Sequence, residues 1–393
     1  MRNYIGRSFL SLAGLVFLCL SGCIESYVPD VINAPASYLV VDGFINGNGV
    51  TRMKLSRTTS IATTTVPPAE KGARVFIVDN TGQQYALTEK ASGSYQSDSL
   101  LLLPSRKYQL RITTASSTTY ESDLLPLKVT PPIDNLTWKQ TDTQVQLAVS
   151  THDASAQSRY YRWGFLETWE FHSAFESLLE YDAKRDIIVT RTTPIYTCWR
   201  TERPSIIKQG SLAQLSQDAL LDFPLLDLSS RAERFKIRYS VLVSQLAQTP
   251  EEFAYYELLR KNTEAVGTVN DPLPTQLTGN VHRVDNPTEP VLGFVGTHTV
   301  QYKRLFINRQ ELSLPANWLF ENPYQGCNLG QELLGDYNPP LQVPKTILFN
   351  NPGNIPTELH GSGPTGGADG YYGTSAQCVD CRLRGSNVKP SFW

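Results

Sequence analysis

Between Tyr38 and Val129 the chain falls into short runs in which apolar and polar residues alternate one by one, separated by turn-forming residues. In KYQLRI, Tyr108, Leu110 and Ile112 lie on one side of an extended chain, and Gln109 and Arg111 on the other. A helix would spread those three apolar residues around its circumference, so the pattern predicts strands with one face in a core. The runs YLVVDGF, VTRMKLSRT, ARVFIVD, QYALTE, GSYQS, KYQLRITT and TYESDL are punctuated by turn signals such as DNTG at 79–82 and the loop VPPAEKG at 66–72. Roughly seven strands at such spacing predict an immunoglobulin-like β-sandwich over residues 37–130, without the cysteine pair of antibody domains.

VTPPIDNL at 129–136 reads as a hinge, because consecutive prolines hold the chain extended and cannot continue a ladder. A second β-rich domain is expected over 131–314. It opens with VQLAVS and the long strand RYYRWGFLETWEF, and continues with ERFKIRYSVLVSQL, where Phe235, Ile237, Tyr239, Val241 and Val243 alternate. One prominent helix is predicted over 250–266. Thr249 is its N-cap, Pro250 fills the first helical position, Glu251 and Glu252 complement the dipole, and Gly267 closes it. After Leu314 the chain turns loop-rich, so residues 315–393 are expected as a tail packed on domain two and held there by its cysteines.

The compartment decides what those cysteines do. The amino terminus, MRNYIGRSFLSLAGLVFLCLSGC, carries basic Arg2 and Arg7 ahead of an apolar run from Ser8 to Leu20 that is too short for a stable membrane span. Residues 1–22 are therefore read as a signal peptide. Its closing LSGC resembles a bacterial lipobox, which predicts a lipidated Cys23, a tether over 23–36 and stable anchoring to a membrane. Losing Arg2 and Arg7 takes the formal charge from −2 to −4, with no basic block or stripe, so no nucleic-acid partner is expected. Four cysteines remain, Cys198, Cys327, Cys378 and Cys381, an even count that predicts disulfides in an exported chain, with three pairings open. The CVDC motif follows a glycine-rich loop where a redox pair would open a helix after a strand, and no histidine stands at metal-ligand spacing from it. Structural cross-links are expected, with at least one tying the tail to Cys198 or Cys327; no metal and no cofactor is expected.

Few residues point to chemistry. GSGPTG matches a dinucleotide fingerprint through Gly361, Gly363 and Gly366, but the strand before it and the helix after it are missing from the pattern. His152, His172, His282, His298 and His360 are scattered and read as surface or edge-strand residues. YYRWGFLETWEF is more pointed. As one strand it sets Tyr161, Trp163, Phe165, Glu167, Trp169 and Phe171 on one face, with Glu167 alone among aromatics and Glu170 opposite. An aromatic platform of Trp163, Glu167 and Trp169 would stack a sugar or grip a cation. The competing and favoured reading is a core strand whose glutamate is paired with a buried arginine, or whose pleat is reset by a bulge.

YLVVDGFI, LSRT, YYRWGFLETWEF, GTVNDPLPTQLTGNV, VLGFVG and the terminal CVDCRLRGSNVKPSFW together resemble the Bacteroidota lipoproteins gathered as domain of unknown function four-two-four-nine. The resemblance implies an outer-membrane lipoprotein, often encoded beside a TonB-dependent receptor, and supplies no catalytic residues. The expectation is a non-enzymatic accessory or binding subunit of a TonB-dependent transport system, with a glycan or peptide as possible ligand. Its rivals are an extracytoplasmic glycan hydrolase with a site assembled from loops and a structural envelope or adhesin module. A pocket with convergent carboxylates would favour the hydrolase.

Overall fold

The computed structural model describes residues 37–59, 66–185, 187–213, 219–264, 277, 279–333, 354–361 and 370–393; the expected signal peptide, Cys23 and the expected tether lie outside them. Strands β1 (Leu39–Asn46) and β2 (Asn48–Arg57) form a hairpin, followed by β3 (Arg74–Asp79), β4 (Gln84–Ala91), β5 (Ser94–Leu101), β6 (Lys107–Thr113), β7 (Thr119–Ser122) and β8 (Leu125–Pro126). Next come β9 (Ile133–Gln140), β10 (Gln144–His152), β11 (Tyr160–His172), β12 (Leu179–Asp182), β13 (Ile187–Thr190), β14 (Thr197–Glu202), β15 (Lys208–Ser211), β16 (Ala219–Ser229) and β17 (Arg238–Ala247). Helix α1 (Pro250–Glu264) precedes β18 (Val281–Arg283), β19 (Thr297–His298) and β20 (Gln301–Asn308), and the tail contributes β21 (Gly330–Leu333), β22 (Ile355–His360) and β23 (Gly370–Thr374). The chain is mainly β, as its alternation predicts.

In the first unit the alternating residues do what period two requires: Leu39, Val41, Met53, Leu55, Ile77, Leu110 and Ile112 meet in one core. The strands are hydrogen-bonded in one continuous path, β18-β7-β6-β3-β4-β5-β2-β1-β19, with β8 on β6, in place of the two separate sheets expected over 37–130. Two of those strands come from beyond residue 280. β18 pairs with β7, and β19 runs parallel to β1 through Ile45 and Thr297. Val41 N donates to Leu292 O at 2.8 Å and Ile45 N to Gly296 O at 2.8 Å, so residues 291–298 lie along β1 and supply Val291 and Val295 to the core, to which β18 adds Val281. The segment belongs with the first unit because its backbone saturates a strand that would otherwise be a bare edge. Gly293 makes the approach possible, since a Cβ there would sit 1.9 Å from Val41 O.

The turn at 79–82 is held by Asp79. Its Oδ1 accepts from Thr81 N at 2.8 Å, Thr81 Oγ1 at 2.7 Å and Gln83 N at 3.0 Å, while Arg106 Nη1 lies 2.5 Å from Oδ2. Burial pushes the carboxyl up, but the bonds from Thr81, Arg106 and Gln83 outweigh it and hold it at about 2. A depressed folded value contributes stability above the ordinary 3.8 and loses it as pH falls toward about 2. Asp79→Asn is therefore expected to destabilise the protein at neutral pH, with the difference from the natural chain closing over that window. Urea melts at several pH values check this; a difference of equal size at both ends of the window would contradict it.

The second unit is a sandwich. Sheet β16-β10-β9 and sheet β14-β11-β17-β20, with β15 also on β11, enclose a core in which Leu136, Val145, Leu147 and Leu226 meet Trp163, Phe165, Tyr239, Val241 and Ile307. α1 starts where its signals place it: Thr249 Oγ1 accepts from Glu252 N at 3.2 Å. It is described to Glu264, and the expected closure at Gly267 lies outside the described residues. The expected hinge at 129–136 is a pinned corner. Thr130 Oγ1 donates to Thr299 O and accepts from Ala247 N at 3.0 Å, and Gln245 Nε2 donates to Pro131 O at 3.0 Å.

The tail forms its own small sheet, β21-β23-β22, and two disulfides fix it. Cys198–Cys381 ties it to β14 inside the sandwich core, and Cys327–Cys378 closes a loop within the tail. The carboxyl-terminal residues return to the sandwich, where Trp393 Nε1 donates to Glu170 Oε2 at 3.0 Å.

Candidate functional site

β11 decides where a site can be, because it presents two different faces. Trp163, Glu167 and Trp169 point into the sandwich and are 2%, 2% and 4% exposed. Trp163 Nε1 donates to Gln245 Oε1 at 2.8 Å. Glu167 Oε2 accepts from Tyr239 OH at 2.8 Å and from Arg234 Nη1, whose guanidinium also lies over the Trp169 ring at 5.0 Å. Burial first, and then the Glu167 charge, drive the Tyr239 phenol well above its ordinary value, so it stays a donor to the carboxylate. The binding platform of Trp163, Glu167 and Trp169 is thereby corrected: all three side chains are buried, Trp163 against Phe223 of the second sheet and Glu167 and Trp169 beneath Arg234.

The opposite face of the same strand is only partly covered. At its far end Trp393 docks on Glu170 while Arg238 lies 4.4 Å from the Phe306 ring and Arg304 3.5 Å from that of Phe392. At the near end α1 packs on it, with Arg162 stacked 3.8 Å from Tyr256. Between these covers run Gly164, Ser244 and Tyr302 in register across β11, β17 and β20, with Leu166 opposite Leu242. A Cβ at Gly164 would lie 2.8 Å from Ser244 Oγ, so the small residues keep the floor low.

The first unit stands over this floor. Its β1 and β2 contribute Phe44, Asn46 and Arg52, and Arg203 and Pro204 follow β14 on the other side, enclosing a cleft of about 600 Å³. Size and position between two units are those of a ligand site. The units are joined beside it by a buried cluster. Glu252 of α1 lies with Oε2 2.8 Å from His298 Nε2 and Oε1 3.6 Å from Arg162, and both Glu252 and His298 are fully buried. Burial would raise the Glu252 carboxyl, but His298 and Arg162 together hold it below the ordinary range. Phe44 of the cleft wall is 5.7 Å from the His298 ring, so the joint and the cleft share a side chain.

A second recess of about 260 Å³ continues along the outer face of β1 and β2. It shares Gly43 and Arg52 with the cleft and adds Lys54, Lys90, Gln96 and Asp42. A more open recess of about 470 Å³ lies beside Trp199 where the tail meets β14, but its arginines are already engaged, Arg384 by Glu233 and Arg200 by Glu202.

The other residues singled out from sequence do not converge. His152 sits on β10, paired with Asp134 at 2.7 Å and raised by it; His282 faces Asp123 at 3.6 Å; His172 is half-buried against Tyr196 and lowered by burial. His298 is on an edge strand as expected, yet inside the joint. Gly363 and Gly366 lie outside the described residues, as does Cys23. No group of three or more metal-ligating side chains occurs among the described residues. The cleft escaped sequence reasoning because its walls come from β1, β2, β11, β17, β20 and the segment after β14. A local signal was Arg52, set by period two on the face away from Met53 and Leu55, beside Lys54 of the second recess.

Fold and site together define a mainly β protein of two interlocked units with a disulfide-fixed tail and a cleft at their joint. The chain belongs to the family described as domain of unknown function (DUF4249), whose model matches residues 24–304. No curated protein matches it. Among solved structures it is similar to a DUF4785 family protein of Legionella pneumophila, at 11% identity over 53% of this chain and 52% of that one, with a TM-score of 0.18. It is also similar to the Yersinia pseudotuberculosis adhesin InvE, at 13% identity over 54% and 55%, with a TM-score of 0.15. The chain thus spans about half the length of each, and superposition at that level carries no argument about fold or function.

Proposed function

We propose that the protein is a lipid-anchored, non-enzymatic binding subunit of a TonB-dependent transport system in the outer membrane, holding its ligand in the cleft between the two units. The observation that carries this reading is the lining of that cleft. Its titratable groups are Arg52, Arg203 and Tyr302, and among the described residues no carboxylate or histidine lines it. A glycan hydrolase needs two carboxyl groups roughly 5 to 9.5 Å apart across the scissile bond. Guanidinium and phenol groups on a floor of small residues bind and orient; they do not supply that acid and base. The anchor rests on the lipobox-like LSGC ending in Cys23, and the receptor on the family's resemblance.

Affinity purification from native membranes with the anchor intact tests it. A β-barrel receptor is expected to come down in stoichiometric amount. Cys23→Ala is expected to abolish incorporation of labelled palmitate and to reduce receptor recovery severalfold. Purification of the anchored protein without any barrel partner would contradict the transport reading.

A further inference from the structure

We infer that the cleft and the recess beside it form one groove that binds an acidic oligosaccharide, its carboxylates taken by Arg52 and Arg203 with Lys54 and Lys90 extending the contact. The inference rests on the cleft being a binding site and names the class of ligand it takes.

The first ground is unspent positive charge. In this mildly acidic chain most arginines are neutralised where they stand: Arg57 by Glu70, Arg106 by Asp79, Arg234 by Glu167, Arg283 by Asp285 and Glu289. Arg52, Arg203, Lys54 and Lys90 have no ion-pair partner among the described residues and all four line this one groove, whereas other arginines without an ion pair, Arg231, Arg238, Arg304 and Arg309, lie over aromatic rings. Among the described residues Asp42 is the single carboxylate lining the second recess, and none lines the cleft. Arg52 lines both recesses, so the cations form a continuous track. A guanidinium fork takes a carboxylate through two parallel hydrogen bonds, and an anion bridging Arg52 and Arg203 would satisfy groups that the protein itself leaves open.

The second ground is the manner of contact. An extended peptide binds most readily by adding a strand to an open sheet edge, where main-chain groups are free. Most strands of this floor and wall are paired on both sides, whereas β20, which carries Tyr302, is the outer strand of its sheet. β11 is paired with β17 on one side and with β14 and β15 on the other; β17 lies between β11 and β20; β2 lies between β1 and β5. Along those doubly paired strands the groove offers side chains in place of free main-chain groups. Tyr302, 59% exposed, stands at the mouth with the half-buried Phe44 ring on the first unit, and Ser244 and Gln96 add hydroxyl and amide groups. Aromatic faces, hydroxyl and amide partners and spaced cations match sugar rings that carry carboxylates.

The test is calorimetric titration of the full lipid-anchored protein in detergent with oligogalacturonate about six residues long. Maltohexaose is the neutral control and hexaglutamate the acidic peptide control. Oligogalacturonate is expected to bind, with affinity falling as salt is added and dropping at least about tenfold in Arg52→Ala/Arg203→Ala at unchanged melting temperature. Arg52→Lys/Arg203→Lys should retain part of it. Both controls are expected to bind at least about tenfold more weakly. The inference is overturned if oligogalacturonate does not bind, if maltohexaose or hexaglutamate binds as tightly, or if the double alanine variant binds unchanged. Receptor capture without oligogalacturonate binding would sink this inference and leave the transport reading standing; binding without receptor capture would do the reverse.

Discussion

Trp163→Ala is expected to lower the stability of the protein by about 3 to 5 kcal/mol, the cost of emptying a fully packed aromatic site. Trp163 is among the largest fully buried side chains, stacks on Phe223 at 5.1 Å between ring centres, and gives its Nε1 hydrogen to Gln245. The truncation also strands the Gln245 carbonyl, which adds to the loss. Glu167→Gln tests the same core by charge instead of volume. It keeps the shape but leaves Arg234 and Tyr239 facing a neutral amide, at a further expected cost on the order of 1 to 3 kcal/mol. Denaturant melts measure both. Melts of the two variants that superimpose on that of the natural protein would show that this face of β11 is not core.

Breaking the Cys198–Cys381 bond by replacing both residues with alanine is expected to cost about 5 kcal/mol in the chain-entropy model, because the bond closes a separation of 183 residues. Both cysteines are fully buried, so the loss is felt in the sandwich core as well as in the tail. The second bond, Cys327–Cys378, closes 51 residues, worth about 4 kcal/mol in the same model. Its removal should loosen the tail while leaving Cys198 linked. Non-reducing peptide mapping is expected to recover these two pairs, and free thiols or bound zinc at any of the four positions would contradict the assignment.

Local signals were readable where local physics decides the structure. The alternation in KYQLRI and in YYRWGFLETWEF sets which side chains are buried in β6 and β11, and Thr249 with Pro250 sets the start of α1, because each depends on residues within a few positions. What lay beyond reach depends on pairings far apart in the chain. β18 and β19 join strands more than 150 residues earlier, and no local feature of VLGFVG distinguishes a strand of one unit from a strand of the other. Four cysteines allow three pairings until the fold places Cys198 beside Cys381. The site followed the same division. The sequence displayed the six inward residues of β11, which are core, whereas Gly164, Ser244 and Tyr302 mean nothing until three strands are laid side by side and the first unit is set over them.

That division makes one measurement decisive for the claim that ligand is held between the units. Protein labelled with fluorotyrosine places a reporter at the cleft mouth, Tyr302, and others inside the cores, including Tyr161 and Tyr239. Tyr302→Phe assigns the first of these in the fluorine spectrum. On titration with oligogalacturonate the Tyr302 resonance is predicted to move while those of Tyr161 and Tyr239 stay in place. Movement of the core resonances with Tyr302 unmoved would put the ligand elsewhere and contradict the cleft.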